Sequence, residues 1–207
     1  MLTTYSFNRF SHGTEENFTG MPNLRLLEHE VIRPGDYAPV LVEDYGQVRL
    51  RHFQWGLIPY WASDEEMGQN RTLAPAHNIF ERPSFEIPIR KQRCLIPADS
   101  FSVLPDALKG SSAELFARKD RQNFCFAGIF ESWRQPDGSL RKTFALVGVP
   151  APQIMANSQP TPLILSPRQY KTWLNPDTSL TQIANLMRST PWNLLQEVHE
   201  PAESIAA

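Results

Sequence analysis

Arg93-Cys94-Leu95-Ile96-Pro97-Ala98-Asp99-Ser100-Phe101 places a short apolar run between a basic residue and an Asp-Ser pair. Such a run, bounded by turn-forming residues, reads as a buried strand, here over 94–97. Phe124-Cys125-Phe126-Ala127-Gly128-Ile129-Phe130 reads the same way over 124–130. Each run contains one of the two cysteines. A free thiol packs like a small hydrophobe, so Cys94 and Cys125 are expected in the core and reduced.

Working outward, further strands are expected over 37–42, 48–54, 113–117, 143–149 and 163–165, and a turn over 134–139. In that turn Gln135-Pro136-Asp137-Gly138 supplies one preset φ and one positive φ. Eighteen prolines and ten glycines cut the chain into short pieces, which favours strands and loops over long helices. Two helices stand out. Ser166-Pro167 gives an N-cap and a first-turn proline, followed by Tyr170, Trp173 and Leu174 on one face. Residues 179–188 repeat the spacing with Leu180, Ile183, Ala184 and Met187. Residues 63–71 read as a polar loop or short surface turn. The fold class is α+β, a single domain over 1–207 with an antiparallel, barrel-like β-sheet core and a few flanking helices.

The 207 residues are 41% hydrophobic and 20% charged, a globular composition with no run long enough for a membrane helix. The N-terminus lacks the basic and apolar regions of a signal peptide, so a cytoplasmic location is expected. Net charge is −2. Lys and Arg fall in scattered groups, Arg90-Lys91-Arg93, Arg118-Lys119-Arg121 and Arg141-Lys142, which read as solvated loops rather than a nucleic-acid stripe. The five histidines (12, 29, 52, 77 and 199) are widely separated, and neither a metal nor a cofactor is expected.

Four segments are more specific than these patterns: Trp55-Gly56-Leu57-Ile58-Pro59-Tyr60-Trp61-Ala62, Ile79-Phe80-Glu81-Arg82-Pro83-Ser84-Phe85, Arg93 to Phe101, and Phe126-Ala127-Gly128-Ile129-Phe130-Glu131-Ser132-Trp133. In this order and spacing they resemble the SRAP family, the SOS response-associated peptidase domain. Arg33-Pro34-Gly35-Asp36-Tyr37 resembles that family's proline turn, and Pro162 to Leu165 with Trp173-Leu174 its C-terminal third. The resemblance is strongest over 33–174 and fades after 175. It implies an N-terminal Cys whose amine and thiol close on the aldehyde of an abasic site in single-stranded DNA. It also implies an Asn that orients the aldehyde, a Glu and a His that move protons, and arginines that grip phosphates.

At those positions this chain departs. Leu2 aligns with the nucleophile, Leu73 with the Asn, Val103 with the Glu and Ser158 with the His. Thr4, Pro75 and Pro160 align with the three arginines. Asn70, His77 and Asn78 lie near the Asn position, but shifting onto them breaks the match over 79–85. The expectation is therefore a family member with no catalytic residue at the family positions, inactive as crosslinker or peptidase.

Three functional readings remain open from sequence. In the first, Pro34, Trp55, Pro59, Tyr60 and Trp61 form a residual cleft wall able to stack bases, with His77 and Asn78 beside it, and single-stranded or damaged DNA binds weakly. In the second, the chain is a monomeric, non-catalytic scaffold for a protein partner, using residues 65–71 and the tail 198–207. In the third, Ser100, Ser102, Asp99, His77 and Ser158 supply a hydrolase, although their spacing lacks a nucleophile elbow.

Overall fold

The computed structural model describes residues 2–7, 30–104, 113–152, 160–188 and 192–198. The strands are β1 (Leu2–Phe7), β2 (Glu30–Ile32), β3 (Tyr37–Asp44), β4 (Gln47–Trp55), β5 (Leu73–Pro75), β6 (Arg93–Ala98), β7 (Ser100–Val103), β8 (Glu114–Arg118), β9 (Phe124–Arg134), β10 (Leu140–Val149), β11 (Thr161–Pro162), β12 (Ile164–Leu165) and β13 (Leu195–Val198). The α-helices are α1 (Glu66–Gln69), α2 (Glu86–Lys91), α3 (Pro167–Leu174) and α4 (Leu180–Leu186).

Strands β10, β4, β3, β6 and β9 follow one another in a sheet that the β9–β10 hairpin closes into a five-stranded barrel. The α+β, barrel-centred class read from sequence is the one observed. Its pairing is mostly antiparallel, but β10 runs parallel to both β4 and β5. A second sheet, in the order β13-β8-β7-β1-β2, lies beside the barrel.

Except for β4, which is largely solvent-facing over 47–52, the barrel strands are mostly buried on both faces, and period-two alternation sorts their side chains into two cores. Leu41, Leu95, Ala127, Ile129, Ala145 and Val147 join Phe85, Ile89, Tyr170 and Trp173 from the helical side. Their neighbours Val40, Val42, Cys94, Ile96, Phe126, Phe144 and Leu146 join Tyr5, Ile32, Phe101, Val103 and Phe116 of the second sheet. Aromatic edges tie that second core together: Tyr5 meets Trp55 at 5.2 Å and Phe126 at 5.7 Å between centroids, and Phe101 meets Phe126 at 5.6 Å.

The helix signals hold at atomic detail. In α3, Pro167 takes the first position and the Gln169 side chain accepts from the Ser166 backbone N–H at 2.7 Å. In α4 the Ser179 hydroxyl accepts from the Gln182 N–H at 3.3 Å. Residues 134–139 form the turn expected, with Gly138 at φ +87°. Both cysteines are fully buried, and burial pushes both thiols up, away from reactivity.

One basic group departs from its reading. Arg93, placed with Arg90 and Lys91 on a solvated loop, is only 3% exposed. It donates to the carbonyls of Ile89 and Arg90 at the end of α2, and to those of Trp173 and Asn175 at the end of α3. Four helix-terminal oxygens facing one point need a planar cation with several donors, and that requirement outweighs the cost of burying it.

Candidate nucleic-acid interface

Residues far apart in sequence are joined through one apolar cluster that draws on β1, β7 and β10, with β5 packed against it. β1 pairs with β7 in a register that sets Leu2 opposite Val103, and the two side chains are 4% and 0% exposed. Both belong to the aromatic-rich core, and Leu73 packs against the same cluster from β5. β5 in turn lies along β10, with Leu73 beside Leu146 and Pro75 beside Gly148. A Cβ at Gly148 would sit 2.7 Å from Leu73 and 3.3 Å from the Pro160 side chain. Gly148 is therefore the close approach that lets Leu73 and Pro160 pack there. Thr4 is half-buried and pairs with Ser102, and Ser158 lies outside the described residues. Of the positions singled out by sequence, the fold thus gathers Leu2, Leu73 and Val103 into one apolar cluster, with Pro160 alongside. None of these side chains can titrate or donate.

The expected aromatic wall divides. Trp55 is 1% exposed, stacks on Phe144 with planes 10° apart, and donates its indole N–H to the Thr72 carbonyl at 2.9 Å. Its ring is core, with no open face for a base. Pro59 is buried as well, whereas Tyr60 and Trp61 are 56% and 46% exposed. Pro34 and Trp55 border a cleft of about 290 Å³ with Gln54, Glu65 and Arg141, and neither Tyr60 nor Trp61 lines it. There Arg141 is paired to Glu65 at 2.5 Å and lies over the Trp133 ring.

His77 and Asn78 sit on a 3₁₀ turn, Ala76–Asn78, directly after β5. With its amide oriented to satisfy its neighbours, Asn78 accepts from His77 Nε2 at 3.2 Å and from Arg82 Nε at 3.1 Å, and donates to the Pro75 carbonyl at 3.3 Å. Asn78 thereby holds a turn and a guanidinium.

The residues considered for a hydrolase are arranged otherwise. The hydroxyls of Ser6 and Ser100 both donate to Asp99 Oδ1, at 2.7 and 2.9 Å, joining β1 to the corner between β6 and β7. Among the described residues neither histidine is hydrogen-bonded to a serine, so no base is positioned on a hydroxyl. No three His, Cys, Asp or Glu side chains among the described residues gather as a metal site, and no described helix is long and apolar enough to cross a membrane.

Two features were not legible in the sequence. One is Glu131 on β9, 5% exposed, whose carboxylate accepts from the Ser132 N–H at 2.9 Å and from the Gln92 side chain. Burial raises its pKa, the hydrogen bonds opposing it only in part. A carboxyl raised in the folded state destabilises the protein when charged, and that cost disappears as pH falls below the unfolded carboxyl value. Glu131→Gln is therefore expected to raise Tm at pH 8 and to leave it unchanged near pH 4, as read by thermal melting across pH. The other is a second cavity, of about 450 Å³, lined by Asn70, Arg71, Leu73, Arg82, Ser84 and Phe85. Its arginines lie in separate segments, so nothing in the local sequence pairs them.

A closed five-stranded barrel with a second sheet across one side and helices on the other is shared with solved structures. A crystal structure of a Bacteroides thetaiotaomicron protein superposes with a TM-score of 0.76 at 25% identity, covering 94% of this chain and 90% of that one. A Bordetella bronchiseptica structure has the same fold, with a TM-score of 0.74 at 18% identity, covering 96% of this chain and 100% of that one. Residues 10–200 match the family model described as SOS response associated peptidase (SRAP). The chain belongs to the SRAP family. Among curated relatives, the abasic site processing protein YoqW of Bacillus subtilis is 34% identical over 155 residues, 70% of this chain. YobE, an abasic site processing protein of the same organism, is 33% identical over 155 residues, covering 70% of this chain and 67% of its own length. YoaM, a third, is 32% identical over 167 residues, covering 75% of this chain and 70% of itself. The chain spans a little under two thirds of YoqW, 66% of its length.

Proposed function

We propose that this chain is a non-crosslinking member of the family that engages single-stranded DNA weakly and reversibly. One observation carries the reading. Leu2 and Val103, which stand at the family's nucleophile and proton-moving positions, are buried in a single apolar core, and Leu73, at the orienting position, is half-buried against it. A thiazolidine needs an amine and a thiol on adjacent carbons, and leucine offers no thiol. An aldehyde entering this cluster would meet neither a hydrogen-bond donor nor a base from these three side chains, and would have to displace close-packed apolar groups. The DNA half of the reading comes from kinship with abasic site processing proteins. Binding is weak because Thr4, Pro75 and Pro160 stand where the family's arginines are expected, and a net charge of −2 supplies no general attraction to a polyanion.

The test is incubation with single-stranded DNA carrying one abasic site, followed by denaturing electrophoresis with and without borohydride. No slowed band is expected under either condition. Anisotropy with the same DNA at low salt is expected to give reversible binding that salt abolishes. A heat-stable covalent adduct without reductant would overturn the non-crosslinking assignment, and no binding at the lowest salt would overturn the DNA assignment.

A further inference from the structure

We propose that Arg71 and Arg82 form a phosphate-binding subsite beside Leu73, holding backbone phosphates of single-stranded DNA. The inference rests on the DNA reading above and gives it a location. The two guanidiniums share one cavity of about 450 Å³, whose lining contains no acidic side chain. Among the described residues neither arginine has a carboxylate within ion-pair distance, unlike Arg49, Arg51, Arg90, Arg118 and Arg141, which are all paired. In the neighbouring cleft Glu65 neutralises Arg141, so the two cavities differ in net charge as well as in place.

Both arginines are held from behind, and among the described residues Nη2 of Arg71 and both Nη nitrogens of Arg82 are left over. Arg71 donates from Nε to the Ser84 hydroxyl at 3.3 Å and from Nη1 to the Met67 carbonyl. Arg82 donates from Nε to Asn78 at 3.1 Å, and Asn78 is itself fixed by the Pro75 carbonyl and His77. A guanidinium anchored through Nε keeps its remaining N–H groups free and loses less side-chain entropy when it grips an anion. Two like charges in one cavity repel each other, and a bound phosphate relieves that repulsion. Leu73 and Phe85 supply an apolar floor, consistent with a sugar-phosphate chain crossing the cavity. These arginines are not at the positions the family resemblance nominates (Thr4, Pro75 and Pro160), so they compensate locally for what is missing there. In an acidic chain such a local pair is what an electrostatic contact with DNA requires.

The experiment is a salt series of anisotropy titrations with a labelled single-stranded oligonucleotide. It compares the unaltered protein, Arg71→Ala/Arg82→Ala, and the control Arg168→Ala/Lys171→Ala, which removes two exposed charges from α3. Each phosphate contact contributes about 0.7 to the slope of log K against log salt for single strands. The double variant is expected to lower that slope by about 1.4 and the control to leave it unchanged. Arg82→Gln, which disturbs the least packing, is expected to lower it by about 0.7 and carries the test if the double variant melts early. A second arm titrates inorganic phosphate and follows the arginine side-chain resonances by NMR. Saturable shifts are expected in the unaltered protein and not in the double variant. DNA binding with an unchanged slope in both variants overturns the subsite and leaves the DNA reading standing. Phosphate binding lost in the double variant, with no DNA binding by either protein, supports the anion site and overturns the DNA reading. No response in either arm overturns both.

Discussion

Val103→Glu is expected to destabilise the protein by about 4 to 5 kcal/mol at neutral pH, because a fully buried carboxyl is raised by about 3 to 4 pH units at 1.36 kcal/mol each. Val103 is 0% exposed, faces Leu2 across the β1–β7 ladder and belongs to the same core cluster as Phe101, Phe116 and Phe126. A glutamate there would be surrounded by apolar side chains of this cluster. The sign follows from a pKa raised in the folded state. The cost is complete above the folded pKa, shrinks as pH falls, and its ionisation part vanishes below the unfolded value of about 4.3. Melting the variant across pH should therefore show a Tm deficit that is largest at pH 8 and much reduced at pH 4. The part that persists at low pH measures the steric misfit. A variant that melts with the parent at pH 8 would mean that water reaches this position. The cluster would then be open to an entering aldehyde, although the missing thiol at Leu2 would remain.

The second large effect is at Arg93. Truncation to Ala leaves the carbonyls of Ile89, Arg90, Trp173 and Asn175 without their donor at the ends of two helices. Each buried carbonyl left unsatisfied costs about 1 to 3 kcal/mol, and water will reach some of them, so a net loss of about 3 to 5 kcal/mol is expected. For a chain of this size that is a drop of roughly 10 °C in Tm. Arg93→Lys should recover less than half of it, since an ammonium is a compact point donor and cannot span four acceptors from two helices. Burial lowers the pKa of Arg93, but a guanidinium stays protonated throughout the working range, so the loss should not depend on pH. Equal stability of Arg93→Lys and the parent would show that charge at the helix ends matters and the fork geometry does not.

Much of the fold was legible because its local signals agree with its global pattern. The barrel strands are apolar runs between turns, the Pro136-Asp137-Gly138 turn closes β9 onto β10, and Ser166-Pro167 starts α3 where capping chemistry puts it. Apart from β1, which lies between β7 and β2, the strands that escaped notice are short or edge-like. β7 alternates buried Phe101 and Val103 with half-buried Ser100 and Ser102, but over four residues the pattern is too brief to stand out. β5, with a proline among its three residues, exists because β10 offers a parallel partner. Trp55 could not be assigned to a wall or a core from sequence, since an indole serves either, and only the stacking on Phe144 decides it.

The sequence by itself determined the family and the chemical character of each side chain. The four matched segments carry the kinship, and leucine, valine and proline remain inert wherever the chain places them. Only the tertiary structure decided that Leu2 and Val103 share one apolar core and that Leu73 packs half-buried against it. Strand register and a parallel pairing set which residues meet, and neither can be read along a single chain. It also decided that Arg93 turns inward while Arg71 and Arg82 share a cavity without an acid. Whether a charge is solvated, capped or left for a ligand depends on the groups that folding brings around it.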